Sequence, residues 1–277
     1  MSQHHSMTRK RVLGIAAVLV ISVPVVAALQ KAPPTLSSDF GQVKDARQAY
    51  ALVVELAQDA VSTDPNLGRN RVSVSDGVLV YDFQPAPETS LTSRPSRLTT
   101  PLELLIRIDA LSRDFHSAIP TQEFWGPPLE RLRGLASHMV DAAFHSPSED
   151  QWRLRKQKYE DQVGQEFAAL AKEVRAFASK TKLDVKTARG SSNGYKVEIR
   201  IEPPKAHVKF MTYLDYRKCK AFKLNLEDYW VDLDPGIHAL IGKYHYLAEW
   251  PASLNGPEEA NFEVTDDMPR TFVPKGK

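Results

Sequence analysis

The chain has a single cysteine, Cys219, among 277 residues, and only 13 glycines. One thiol cannot close an internal disulfide, and without a C-x-x-C there is neither a dithiol redox motif nor a thiolate zinc site. Scarce glycine goes with missing phosphate cradles: neither G-x-G-x-x-G nor G-x-x-x-x-G-K-[ST] occurs, and H-E-x-x-H is absent as well. Charge of one sign is also lacking, with 36 Lys+Arg against 34 Asp+Glu. Mean hydropathy of -0.36 excludes a polytopic membrane protein. What is present, 42% hydrophobic and 25% charged residues, is the composition of a chain that folds around apolar cores.

The near-neutral balance hides an uneven distribution. Residues 1–31 carry Arg9, Lys10, Arg11 and Lys31 and no acid, which leaves 32 basic against 34 acidic residues beyond them. A mildly acidic body has no global electrostatic reason to bind nucleic acid. Arg9-Lys10-Arg11 precedes an apolar run, Val12 to Leu29, broken only by Ser22 and Pro24. One reading is a secretory signal cleaved after Ala28, with Val26 and Ala28 as the small residues of the site. The other is an uncleaved anchor, since 18 residues come close to spanning a hydrocarbon core about 30 Å thick. Both leave the basic end cytoplasmic and export the body to the periplasm or beyond, tethered to the inner membrane in the second case.

Ala32-Pro33-Pro34 begins a short linker over 32–38, and apolar spacing then predicts a helical domain over 39–190. Val43, Ala46, Tyr50, Val53, Val54, Ala57 and Val61 recur at three and four from Asp39 to Thr63. A hairpin is expected near 71–83 around Ser75-Asp76-Gly77, followed by a Pro/Ser/Thr-rich loop over 84–99. Thr100-Pro101-Leu102-Glu103 reads as a capping box opening a helix to Ala118. Pro127-Pro128 opens another to His145, and Ser146-Pro147-Ser148-Glu149 a third to Lys180. That last helix has a stripe at Trp152, Tyr159, Val163, Phe167, Leu170, Val174 and Phe177, which reads as a core seam.

The breaker cluster Gly190–Gly194 marks the boundary of a second domain, 191–277. Tyr195, Val197, Ile199 and Ile201 alternate with charged residues. Further period-two runs follow at Val208/Phe210/Thr212, Phe222/Leu224/Leu226, Tyr229/Val231/Leu233, Ile237/Ala239/Ile241 and Phe262/Val264. The fold class expected is therefore α+β: an N-terminal signal or anchor, a helical bundle with a small hairpin, and a C-terminal antiparallel β-sandwich-like domain.

Ile201-Glu202-Pro203-Pro204-Lys205-Ala206-His207-Val208 resembles the opening of a PEGA-type surface domain. Leu233-Asp234-Pro235-Gly236-Ile237-His238-Ala239-Leu240 is similar to that family's later Pro-Gly-x-His turn, with Tyr244 or Tyr246 where its closing Gly-Tyr falls. The segment between the blocks is longer and more charged than in the family and lacks its glycine-rich turn. The resemblance implies a β-sandwich surface module without catalytic residues.

Candidate sites are few. His138, Asp141 and His145 fall at i, i+3 and i+7, one face of a helix, and imidazole with carboxylate suits a metal such as zinc. Tyr213, Tyr216, Arg217, Lys218, Lys220 and Lys223 interleave rings with bases, either as a site for a glycan, lipid head group or acidic partner, or as a β-hairpin with wet lysines. Cys219 reads as a quiet strand cysteine, although its basic neighbours could lower its pKa. His238 and His245 are expected on opposite faces, and the acid pairs Glu227-Asp228 and Glu258-Glu259 are expected to face apart. No cofactor is expected. The function expected is a non-catalytic, envelope-associated binding or scaffold protein. A metal-binding protein or hydrolase using the His138 face is the first alternative. A bitopic part of a secretion or pilus assembly is the second; it would carry a helix between strands after residue 200, which the pattern does not reveal.

Overall fold

The computed structural model describes residues 41, 43–64, 67, 71–83, 96–187, 195–202, 206–251, 256–264 and 271–273. The expected signal or anchor, most of the 84–99 loop and the 190–194 breaker lie outside them. Among the described residues, no helix is long and apolar enough to cross a membrane. Over the described residues the fold is α+β, with five α-helices and several antiparallel strand pairs.

The first helix, α1, spans Ala46–Thr63, not 39–63. Asp45 stops it from starting earlier, because its carboxylate accepts from Gln48 N at 2.8 Å and caps the first turn. Its core face is Ala49, Val53, Leu56, Ala57 and Ala60, rotated from the expected stripe so that Tyr50, Val54 and Val61 are only partly buried. Strands β1 (Val72–Ser75) and β2 (Val78–Tyr81) form the expected hairpin. Asp76 and Gly77 both take positive φ, 52° and 75°, as a two-residue turn matched to strand twist requires.

Helix α2 covers Thr99–Ala118, and the expected capping box does not form: Leu98 is the N-cap, with no side-chain bond. The first turn starts before Thr100, which places that residue inside the helix. The preceding Arg97 instead caps a neighbouring helix. Its Nη1 donates to the carbonyls of Ala143 (3.1 Å) and Ser146 (2.9 Å), at the C-terminal end of α3, Gly126–His145. Helix α4 runs Glu149–Lys180 from the N-cap Ser148, whose hydroxyl accepts from Gln151 N, with Glu149 and Asp150 in its first turn.

Four of the seven expected stripe residues on α4, Trp152, Phe167, Leu170 and Val174, are buried. Tyr159, Val163 and Phe177 are partly buried against the same core. Phe115 and Trp125 stack at 5.5 Å in its centre, with Trp125 Nε1 donating to Ile119 O. After α4, the strand β3 (Asp184–Thr187) pairs in parallel with β2, which the sequence reading missed.

Two further sheets follow. The first, in the order β10-β4-β7, contains β4 (Tyr195–Ile199), β7 (Gly236–Leu240) and β10 (Thr271–Phe272). The second, in the order β6-β5-β8-β9, contains β5 (His207–Thr212), β6 (Val231–Asp232), β8 (Gly242–Glu249) and β9 (Glu258–Val264). Both sheets contribute to one core: Val197, Ile199 and Leu240 from the first meet Val208, Phe210, Tyr244, Tyr246 and Phe262 from the second.

Several strand expectations need correction. Phe222/Leu224/Leu226 is not a strand: Phe222 ends helix α5 (Tyr213–Phe222), Lys223 turns left-handed at φ 52°, and Leu226–Asp228 is a 3-10 turn. The period-two set on β7 faces outward, leaving Ile237 73% exposed while Leu240 is buried. Helix α5 connects β5 to β6, so a helix does lie between strands after residue 200.

Helix α5 joins the helical part to the sheets. Its Phe222 enters the core of α1–α4, whereas Cys219 packs with Met211 and Tyr229 in a separate cluster. Arg217 Nη1 reaches Asp59 Oδ2 of α1 at 2.9 Å, with Glu55 at 3.6 Å from Nη2.

Candidate functional site

Two places concentrate chemistry-bearing residues: the α5 region and a cleft between α2 and α4.

The candidate ring-and-base patch lies on α5, a helix and not a β-hairpin. Thr212 caps the helix, accepting from Asp215 N at 3.0 Å and donating through Oγ1 to Asp215 Oδ2 at 2.7 Å. Lys218 Nζ lies 2.8 Å from Asp215 Oδ1, with the two side chains 4% and 7% exposed. Two of the four bases are thus engaged inside the fold: Lys218 with Asp215, and Arg217 with α1. Lys220 stands over the Tyr216 ring and Lys223 is exposed at the helix C-cap.

The rings stack in a row. Tyr213 lies 6.1 Å from Tyr216, Tyr216 3.7 Å from His245, and His245 5.7 Å from Trp230. Lys243 Nζ sits 4.1 Å above Tyr213. His245 is buried in β8, with Nδ1 2.8 Å from Asn261 Oδ1 and Nε2 2.9 Å from Glu259 Oε1. The reading that dismissed His245 missed this cluster, because its partners come from β9 and α5. Glu258 and Glu259 face apart as expected, Glu258 accepting from Tyr246 OH and Glu259 meeting His245. His238, on β7, sits 2.7 Å from the Asp234 carbonyl.

Cys219 lies on a helix, and its burial pushes the thiol up to about 12, against the pull of Lys218. It follows that Cys219 is inert in the native protein. Titration with a thiol-specific disulfide reagent at pH 8 should detect less than a tenth of an equivalent in minutes, and one equivalent after addition of guanidinium. Fast native reaction would contradict this placement.

Helix α3 carries the candidate metal face of His138, Asp141 and His145. His145 Nδ1 lies 3.1 Å from Asp141 Oδ1 and 3.0 Å from the Asp141 carbonyl, while His138 stacks on Tyr159 of α4. Among the described residues, no group of three or more His, Cys, Asp or Glu side chains could hold a metal ion. Residues Gly190–Gly194 also spell G-x-S-x-G. They lie outside the described residues.

The cleft arises from two helical faces. Helix α2 contributes Thr100, Glu103, Leu104 and Arg107, at i, i+3, i+4 and i+7. Helix α4 contributes Glu160, Val163, Gly164, Phe167, Ala168 and Ala171, and Met139 of α3 and Phe83 complete the lining. Its volume is about 560 Å³. The Arg107 guanidinium lies 4.3 Å from the Phe167 ring centre, and its Nε is buried with no hydrogen-bond partner. Burial holds this guanidinium below the ordinary arginine value, with Glu103 acting in the opposite direction. Glu103 and Glu160 are exposed, and Glu160 pairs with Lys156 at 3.4 Å. A Cβ added at Gly164 would meet nothing within 4 Å, so this glycine borders open space.

Neither Arg107 nor Gly164 was singled out from sequence. The available signal was Gly164 itself, an isolated glycine within a helical stripe. Compared with known proteins, the chain matches no family model, no curated protein and no solved structure.

Proposed function

We propose that the chain is an exported, envelope-associated binding or scaffold protein without catalytic chemistry of its own. The observation that carries this reading is the cleft: apolar walls with one poorly solvated guanidinium suit the capture of a ligand. The buried Cys219, with its thiol pushed up, is no nucleophile. Export rests on Arg9-Lys10-Arg11 and the apolar run behind it. In the same reading the C-terminal sheets are the two faces of a PEGA-like β-sandwich, supported by the core to which both contribute. The partners proposed are an envelope protein, a glycan or a lipid, with the membrane reached through residues 12–29.

Cell fractionation with N-terminal sequencing tests this. The full chain should be recovered from the envelope, starting either near Met1 (tethered) or at Leu29 (cleaved after Ala28). Recovery from the cytosol with an intact N-terminus would overturn it.

One observation favours a second reading, a bitopic component of a secretion or pilus assembly: α5 stands between β5 and β6, the helix such a component would carry. Cross-linking in intact cells separates the two. A ladder of defined, stoichiometric complexes favours the assembly component, and a single monomer band favours the binding protein.

A further inference from the structure

We propose that the cleft between α2 and α4 binds a single-chain amphiphile with a monoanionic head, a fatty-acid-like carboxylate, with its head on Arg107 and its alkyl chain along α4. The inference rests on the binding-protein reading above and names the ligand class of that site.

Shape comes first. From Glu160 to Ala171 the α4 wall runs roughly 16 Å at 1.5 Å per residue, a slot for an extended chain. A helix of that length, 10–12 Å across, would occupy roughly 1,300 Å³ or more. The cleft offers about 560 Å³, within the range of small-ligand sites. Gly164, Ala168 and Ala171 keep that wall low, and Gly164 does so at a cost in helix propensity that no steric crowding requires.

Charge sets the head group. Arg107 is the one cation among the lining residues, pinned against Phe167, and its buried Nε–H lacks an acceptor. A buried donor left unpaired is costly, and a carboxylate oxygen would satisfy it with a charge-assisted bond. Glu103 and Glu160 stand exposed among the same lining residues. Because these two acids outnumber Arg107, every added negative charge is opposed and a second more than the first, so a carboxylate in direct contact with Arg107 is favoured over a phosphate monoester.

Calorimetric titration of the full chain tests the proposal, using dodecanoate, dodecyl phosphate, dodecanol and dodecyltrimethylammonium below their micellar concentrations. One dodecanoate per chain is expected, binding at least tenfold more tightly than any of the others. Arg107→Met should weaken dodecanoate at least tenfold and leave dodecanol unchanged. Its melting temperature should hold or rise, because a poorly solvated cation is removed while an unbranched apolar stem is kept; a residue serving only structure would lower it. Should Arg107→Met not fold, Arg107→Gln serves as the same test. Gly164→Trp, which fills the slot, should abolish binding of all four. The proposal is overturned if dodecanoate affinity is unchanged in Arg107→Met, or if the cationic amphiphile binds as well as dodecanoate. Equal binding of dodecanol and dodecanoate removes the anionic head but keeps the slot as an apolar binding site. Absence of all binding removes this ligand class, while export stands or falls on fractionation.

Discussion

Gly242→Ala is expected to cost about 2–5 kcal/mol of stability, read as a fall in the urea midpoint at unchanged slope. Two effects add. Gly242 opens β8 at φ +83°, a conformation that penalises any side chain by about 1–2 kcal/mol. A Cβ there would also lie 1.9 Å from Asp64 Oδ2, at the C-cap of α1. Relieving that overlap must turn the Asp64 carboxylate out of its place or move the end of α1, and overpacking of this kind costs about 1–3 kcal/mol. In an Asp64→Gly background, measured against Asp64→Gly alone, Gly242→Ala should lose the steric part of its cost and keep only the backbone penalty. A midpoint for Gly242→Ala equal to that of the unaltered chain would mean that α1 does not abut β8.

Lys218→Met should be comparably severe, about 3–5 kcal/mol, because it strands the Asp215 carboxylate in the interior. Thr212 Oγ1 donates to the other Asp215 oxygen but carries no charge to balance it. The double variant Asp215→Leu/Lys218→Met should be close to neutral, because a buried ion pair and apolar residues of similar volume are often nearly equivalent. A loss below 1 kcal/mol in Lys218→Met alone would place the pair in solvent.

The elements legible in the sequence are those written locally. Pro127-Pro128 begins α3 and Asp76-Gly77 turns the hairpin, each within a few residues of the bond it controls, whereas α4 starts where expected but on Ser148, with Ser146 of the expected capping box ending α3 instead. Strand β3 was not legible, because four residues with Val185 as the sole apolar side chain carry no period and the pairing partner is distant β2. Helix α5 had a local signal, the Thr212-x-x-Asp215 capping spacing, but no amphipathic stripe to support it. Opposite faces of α5 enter different cores, Leu214 and Ala221 one and Tyr216 and Cys219 the other, so its apolar residues do not keep to one side. Alternation of Phe222, Leu224 and Leu226 then mimics a strand.

The candidate sites followed the same division. His138, Asp141 and His145 share a face because they share a helix, yet only Asp141 and His145 meet. The cleft needs Arg107 from α2 and Gly164 from α4, a pairing that no spacing within one element reveals.

The claim that matters most is that this cleft is the ligand site, and methionine supplies a local reporter. Of the five methionines, Met139 lines the cleft, whereas Met211 is buried with Cys219 and Tyr229 beneath α5. With methionine methyl groups labelled with carbon-13, addition of dodecanoate should shift the Met139 resonance and leave that of Met211 in place. Movement of Met211, with Met139 unmoved, would contradict the account.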